Sequence, residues 1–339
     1  MASTEQDLDS RKSTILRKVV TEHIETGQPV GSAHLVREKE IDVSAATVRS
    51  DMATLERDGY LTHPHTSAGR IPTDKGYRYF VDHLESEVPL DPKSAEQVEF
   101  FFLRAHGELE RMLRDTSQLL SHLTDYASVV VAPTTEQLAV RDALLTRLSQ
   151  TTALVVVVCS NGVVEKHTVE IDSAVTDDEV ETASALLREQ LVGQILGRLG
   201  PVHAPTSAKV ARLLDAACSC LGGISPTRDG DVYLGGVAHM TDQFPTIETV
   251  REVLEILEQS FVVVSLISDL LASGKSVAIG AESGLASLAE CSLVVAPYTV
   301  DDEPAGTIGV LGPTRMNYPQ ALATVAVVSQ HLSRQLSSP

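Results

Sequence analysis

Residues 44–80 read SAATVRSDMATLERDGYLTHPHTSAGRIPTDKGYRYF, and this stretch decides how the N-terminal quarter of the chain folds. Ser44 stands where a hydroxyl can accept a bond from a first-turn N–H and start a helix that runs to Gly59. Stepping 100° per residue from Val48 brings Ala45, Met52 and Leu55 onto one inward face. The opposite face carries Ala46, Thr47, Ser50, Ala53, Thr54 and Arg57, with Arg49 at its edge. Tyr60-Leu61-Thr62 then reads as a strand, residues 64–69 as a turn, and Arg70-Ile71-Pro72 as the returning strand. Thr73-Asp74 caps a further helical stretch over 76–83.

Upstream, residues 10–25 repeat Ile15, Leu16, Val19, Val20 and Ile24 at helical spacing, with Gly27 as the stop. A short helix can begin at Ser32, capped by its hydroxyl, and carries Leu35 and Val36 before a turn through Ile41 and Val43. Three short helices followed by a strand–turn–strand form the winged helix-turn-helix pattern. Two prolines within residues 85–92 mark its boundary.

The 339 residues carry 46 acidic and 27 basic side chains, a formal charge of −19. The acidity is uneven: residues 1–80 hold 11 Lys/Arg against 12 Asp/Glu, so almost all of the excess lies in the remainder. The hydrophobic content of 43% is ample for packed cores and excludes global disorder, and the length suits two or three domains. There is no basic-then-apolar leader pattern at the start and no run of about 18 apolar residues, so a soluble cytoplasmic protein is expected. The four cysteines include no C-x-x-C pair, which argues against a disulfide scaffold or structural zinc site.

Beyond the boundary, Val98, Phe102, Ala105, Leu109, Met112, Thr116, Leu119 and Leu123 alternate spacings of four and three. This predicts one long amphipathic helix over about 94–125, packed on its own domain or on a second copy. Strand-like runs follow at 127–131, 153–159, 163–171 around an Asn161-Gly162 turn, 232–237, 276–280, 292–298 and 305–311. Helical segments at 177–197, 207–221 and 246–272 separate them, and the two between 177 and 221 read as an insertion. The body is therefore mixed α and β.

Small and hydrogen-bonding side chains on the outer face of 45–57 suit insertion into a major groove about 12 Å wide, where Arg reads guanine. A polar surface helix without a ligand is the alternative. In the turn, His65, Thr66, Ser67 and Arg70, followed by Lys75 and Arg78, offer groups for phosphates, which fix register rather than read sequence. His63 and His65 lack cysteine or acidic partners nearby in sequence and make a poor metal pair. Enzyme motifs fail: Ser273-Gly274-Lys275-Ser276 has Asp269 where a phosphate loop needs glycine, and residues 280–284 read GAESG with the serine misplaced for a nucleophile elbow.

The run Ser44-Ala45-Ala46-Thr47-Val48-Arg49, then Asp51-Met52 and Leu55-Glu56, and above all residues 64–78, PHTSAGRIPTDKGYR, closely resemble the HrcA family of heat-inducible transcription repressors. Tyr233-Leu234-Gly235-Gly236 and Gly312-Pro313-Thr314-Arg315-Met316 extend the resemblance over nearly the whole chain. It implies an α+β multidomain repressor with an N-terminal winged helix-turn-helix and a GAF-like α/β domain carrying an inserted dimerisation domain. The corresponding boundaries are 1–84 for the winged helix, 85–126 for a linker and long helix, 127–175 with 232–339 for the GAF-like domain, and 176–231 for the insertion.

The resemblance further implies a homodimer on the inverted-repeat CIRCE operator in double-stranded DNA upstream of chaperone genes, released on heat stress and kept active by the GroE chaperonin. It brings a DNA-contact expectation to Thr47, Arg49 and Arg70; Ser50, Thr54, Arg57, His65, Thr66, Ser67, Lys75 and Arg78 complete the candidate set. Neither a cofactor nor a metal is implied. Ser50 departs from the family's usual asparagine and Asn317 from its usual aspartate. Asn contacts adenine through two bonds, whereas Ser discriminates bases poorly. A metabolite-sensing regulator and an enzyme with a fused regulatory domain are the competing classes, separable by ligand-dependent thermal shift and by turnover.

Overall fold

The computed structural model describes residues 8–36, 43–64, 69–84, 89–105, 109–133, 139–160, 164–196, 199–200, 202–203, 207–222, 232–244, 246–300 and 303–337. Its N-terminal module contains α1 (Ser10–Thr26), α2 (Ser32–Leu35), α3 (Ala45–Arg57), a hairpin of β1 (Leu61–Thr62) and β2 (Ile71–Pro72), and α4 (Asp74–Asp82). Asp9 caps α1 by accepting from the Lys12 N–H, and Thr73 caps α4 by accepting from the Gly76 N–H. Ser32 does not cap α2 as expected: Gly31 holds that position, and Ser32 is the first helical residue and buried. Ile15, Leu16, Val19, Val20, Val48, Met52 and Leu55 are fully buried together, so the periodic apolar positions of α1 and α3 form one core.

The expected long helix is two: α5 (Pro92–Arg104) and α6 (Leu109–Thr124), because the backbone leaves the helical region at Ala105. The seam survives the break. Val98 and Phe102 from α5 and Thr116 and Leu123 from α6 stay buried, against the C-terminal helix α12 (Tyr318–Ser337).

The body is a five-stranded antiparallel sheet in the order β7-β3-β10-β9-β8, built from β3 (Ala127–Val131), β7 (Val232–Gly235), β8 (Val277–Ile279), β9 (Cys291–Val300) and β10 (Glu303–Pro313). Every residue of β3 is buried because both faces are covered. Val130, Val294, Ile308 and Val310 face α6 and α12; Val129, Val131, Leu293 and Val295 face the second layer. That layer comprises α9 (Met240–Gln243), α10 (Ile247–Leu257) and α11 (Ser260–Ala272). Residues 246–272, expected as one helix, break at Gln259, whose backbone is not helical.

A separate unit interrupts the body between β3 and β7. The strand β4 (Val140–Arg147), not foreseen in the sequence, pairs with β5 (Thr152–Cys159), which pairs with β6 (Val164–Glu170). One face of this sheet packs on α7 (Asp177–Leu191) and α8 (Ala208–Gly222) in a core of its own. This corrects the expected boundary at 175/176: the strands between 140 and 170 join each other and the two helices, not the five-stranded sheet, so the insertion begins before β4.

The N-terminal module and the body share a continuous core, with Tyr77 from α4 packed between Tyr318 and His23, at ring-centroid distances of 5.9 and 6.4 Å. Burial, reinforced by the nearby Arg315 charge, pushes the His23 imidazole below its ordinary value of 6.5. A histidine depressed in the folded state is held neutral while the unfolded chain takes up a proton. Its stability contribution is therefore full above 6.5 and is lost as pH falls towards the lowered folded value. Melting temperature is expected to drop between about pH 7.5 and about pH 5, and the drop is expected to shrink in His23→Gln. An unchanged pH slope in that variant removes His23 as its source.

Candidate nucleic-acid interface

The helix α3 is fixed from beneath and open above. Ser44 Oγ accepts from the Thr47 N–H at 3.2 Å, and Val48, Met52 and Leu55 are fully buried. Asp51, missed in the sequence reading, lies beside them and is 6% exposed. Arg11 Nε of α1 donates to its carboxylate at 2.7 Å and Nη2 at 3.3 Å, pinning the two helices together. The visible signal was an acid three residues from Val48 on the apolar stripe. Its partner, 40 residues away, had none.

On the outer face, Ala46, Arg49, Ser50, Ala53 and Arg57 are exposed. Thr47 and Thr54 are half-buried, with their hydroxyls engaged locally. Thr47 Oγ1 lies 2.9 Å from Ser44 Oγ, and Thr54 Oγ1 donates to the Ser50 carbonyl at 3.2 Å while accepting from Arg57 at 3.4 Å. Arg49 and Ser50 make no side-chain hydrogen bond among the described residues. Their small neighbours Ala46 and Ala53 leave room for a bulky surface to approach.

The basic residues expected to hold phosphates are placed differently. Arg70 exchanges backbone hydrogen bonds of 2.9 Å with Val30, and its guanidinium, 13% exposed, reaches Glu56 at 3.1 Å. The same carboxylate meets His63 Nδ1 at 2.5 Å, and the His63 and Arg70 bonds together hold Glu56 below the usual carboxylate range. Lys75 donates to the Asp58 carbonyl at 2.8 Å at the C-terminal end of α3 and lies over the Tyr60 ring.

Arg78 turns away from this face altogether, towards Glu282, Asp82 and the Val277 carbonyl of the body. The phosphate role expected of Arg78 finds its guanidinium already engaged by two carboxylates and a carbonyl, away from the α3 face. His65, Thr66 and Ser67 lie outside the described residues. Arg49, Ser50 and Arg57 thus form the open part of the candidate surface, supported by the internal bonds of Arg70 and Lys75.

Little else offers chemistry. Burial pushes the Cys159 thiol up to about 11 and the Cys291 thiol up to about 12, so neither is a thiolate at neutral pH. Among the described residues no helix is long and apolar enough to cross a membrane.

Comparison with known proteins places the chain as a whole in a family. The family model of the HrcA protein C-terminal domain matches residues 110–322. The chain is 37% identical to the heat-inducible transcription repressor HrcA of Symbiobacterium thermophilum, over 96% of this chain and 98% of that protein. It is 36% identical to the protein of the same name from Pelotomaculum thermopropionicum, over 97% of each. A crystal structure of a hypothetical protein, 24% identical, shares the fold with a TM-score of 0.66 over 98% of this chain and 99% of that one. Matched by the family model through more than half its length and by relatives of over one-third identity through nearly all of it, the chain belongs to the HrcA family of heat-inducible transcription repressors.

Proposed function

We propose that the N-terminal module is a winged helix-turn-helix that represses chaperone genes by placing α3 in the major groove of an inverted-repeat operator, CIRCE. The observation that carries this reading is the outer face of α3, where exposed Arg49 and Ser50 stand between the small residues Ala46 and Ala53. Arg49 can donate two bonds to a guanine edge; Ser50 adds a less selective contact. Arg57 faces the flanking backbone, and Arg70 and Lys75 act by stiffening the hairpin and the end of α3. The protein works in the cytoplasm, where the operator is.

An inverted repeat is read by a two-fold dimer. The unit between β3 and β7 supplies the dimer contact, and the open face of its sheet supports this. Leu144 lies opposite Val156 and Val164 opposite Val158; Leu144 is 51% and Val164 44% exposed. The remaining five-stranded unit is the GAF-like domain. Heat loosens the acidic body or its dimer contact and so releases the operator, and GroE chaperonin returns the chain to the binding form.

Arg49→Ala is expected to weaken binding to the inverted repeat by about 1–3 kcal/mol and to relax base preference at one position of each half-site. Gel shift at fixed salt, with dimer and fold verified, measures it. Wild-type affinity in that variant removes α3 as the reading helix.

A further inference from the structure

The contact between α4 and the turn after β8 is built more tightly than packing alone requires. Three residues at helical spacing on α4, Asp74, Tyr77 and Arg78, all point into it. The Asp74 carboxylate accepts from the Ala281 N–H at 3.1 Å and sits so close to the Gly280 Cα that a Cβ there would overlap it. Gly280 also has φ +53°, where side chains are strained, so both its backbone and its surroundings require glycine.

Arg78 closes the other side. Its Nε donates to Glu282 Oε1 at 2.9 Å, its Nη2 meets Glu282 Oε2 and donates to the Val277 carbonyl at 2.8 Å, and its Nη1 reaches Asp82 at 3.2 Å. The side chains are only 17% and 29% exposed, so the pair is shielded and directional. Glu282 is also held from its own side, accepting from the Ile279 N–H at 3.1 Å. Burial opposes charge on Glu282, yet the Arg78 bond and charge outweigh it and keep the carboxylate below its usual value.

A packed aromatic such as Tyr77 resists separation of two surfaces but resists rotation weakly. Two directional polar contacts on either side of it fix the angle as well. We propose that Asp74 and Glu282 are positioning residues which set the orientation of each DNA-binding module on its body, and thereby the half-site spacing that the dimer accepts. The proposal rests on the dimeric operator reading above. Once one module is bound, the second binds with an effective concentration that is high only if the joint holds it at the right place. A loosened joint lowers that concentration at the matching spacing and raises tolerance of wrong ones.

The test uses the full-length dimer with three duplex probes: a single half-site, the natural inverted repeat, and repeats with the spacer lengthened or shortened by one or two base pairs. Glu282→Ala and the size-conserving Glu282→Gln are expected to leave half-site affinity unchanged. Affinity for the natural repeat is expected to fall about tenfold, with the preference for it over altered spacers shrinking by a similar factor. The exchanged pair Arg78→Glu with Glu282→Arg is expected to recover part of the preference.

Wild-type spacing preference in both Glu282 variants overturns the proposal. So does an equal loss on half-site and full repeat, which would mean damage to the module itself. Failure of the operator reading looks different: the unmodified dimer would then bind none of the probes.

Discussion

Replacing Leu187 by alanine lowers the stability of the inserted α/β unit by about 2–5 kcal/mol, the range for removing a large buried aliphatic side chain. Leu187 is fully buried in α7, in a core with Val155, Val157, Leu191 and Leu214 that is distinct from the other two cores of the chain. The loss therefore falls on this unit. For a unit of this size each kcal/mol displaces the midpoint by roughly 4–8 °C, so its transition moves down by about 10 °C or more. Calorimetry of the full chain is expected to show this transition separating from the rest. Binding to the inverted repeat disappears at the same lower temperature, while half-site binding persists. A single unshifted transition would contradict the independence of this core; a shifted one with operator binding intact would remove the unit from the proposed dimer contact.

The second large effect is expected at Gly236, the last residue of the Tyr233-Leu234-Gly235-Gly236 run. Its φ of 65° lies in the left-handed region, costing an alanine roughly 1–2 kcal/mol. A Cβ would also fall on Ser121 Oγ of α6 and within 3.0 Å of the Tyr126 carbonyl oxygen, and overpacking of this kind costs roughly 1–3 kcal/mol more. Ser121 is 2% exposed. Gly236→Ala should therefore cost about 2–5 kcal/mol, read as a lower urea midpoint for the body. The chain returns from the insertion here: the preceding Gly235 pairs with Ser128 on β3, so the damage reaches the central sheet. An unchanged midpoint would show that α6 can yield.

The elements foreseen in the sequence were those whose own residues carry the signal. Val48, Met52 and Leu55 fix the inward face of α3, and the run at 127–131 is apolar but for Ser128 and buried throughout because both faces are covered. The strand β4 escaped because Leu144 faces outward between buried Ala143 and Leu145, and a register shift between Val140 and Asp142 disturbs its alternation. Without it, the runs at 153–159 and 163–171 read as part of the same domain as 127–131. The break at Gln259 carries neither glycine nor proline; the one after Ala105 has Gly107 beside it, but the seam through Val98, Phe102, Thr116 and Leu123 continues in phase across it, since α5 and α6 both face α12.

The outward residues of α3 could be read from one helix, whereas the roles of the cations could not. Arg78 near Lys75 and Arg70 reads as a basic cluster, and only the folded chain brings Glu282 to it from 204 residues away. Asp51 was silent for the same reason: a buried acid is intelligible only once Arg11 is beside it.

The order of the central sheet also bears on how the protein is made. β3 has β10 and β7 as its neighbours, and the β10 residues that pair with it lie about 180 residues further along the chain. At synthesis rates of roughly 5–20 residues per second, the Val129-Val130-Val131 segment waits about 10–35 seconds for that partner. The N-terminal helices and hairpin find most of their own core within the first eighty residues, while Asp74, Tyr77 and Arg78 wait for Ala281, Tyr318 and Glu282. Each newly made chain therefore passes through an interval in which β3 lacks the β10 partner that it has in the finished sheet. Under the operator reading proposed above, completion of that sheet is what seats the N-terminal module on its body, so the C-terminal strands must be made before a chain can be aimed.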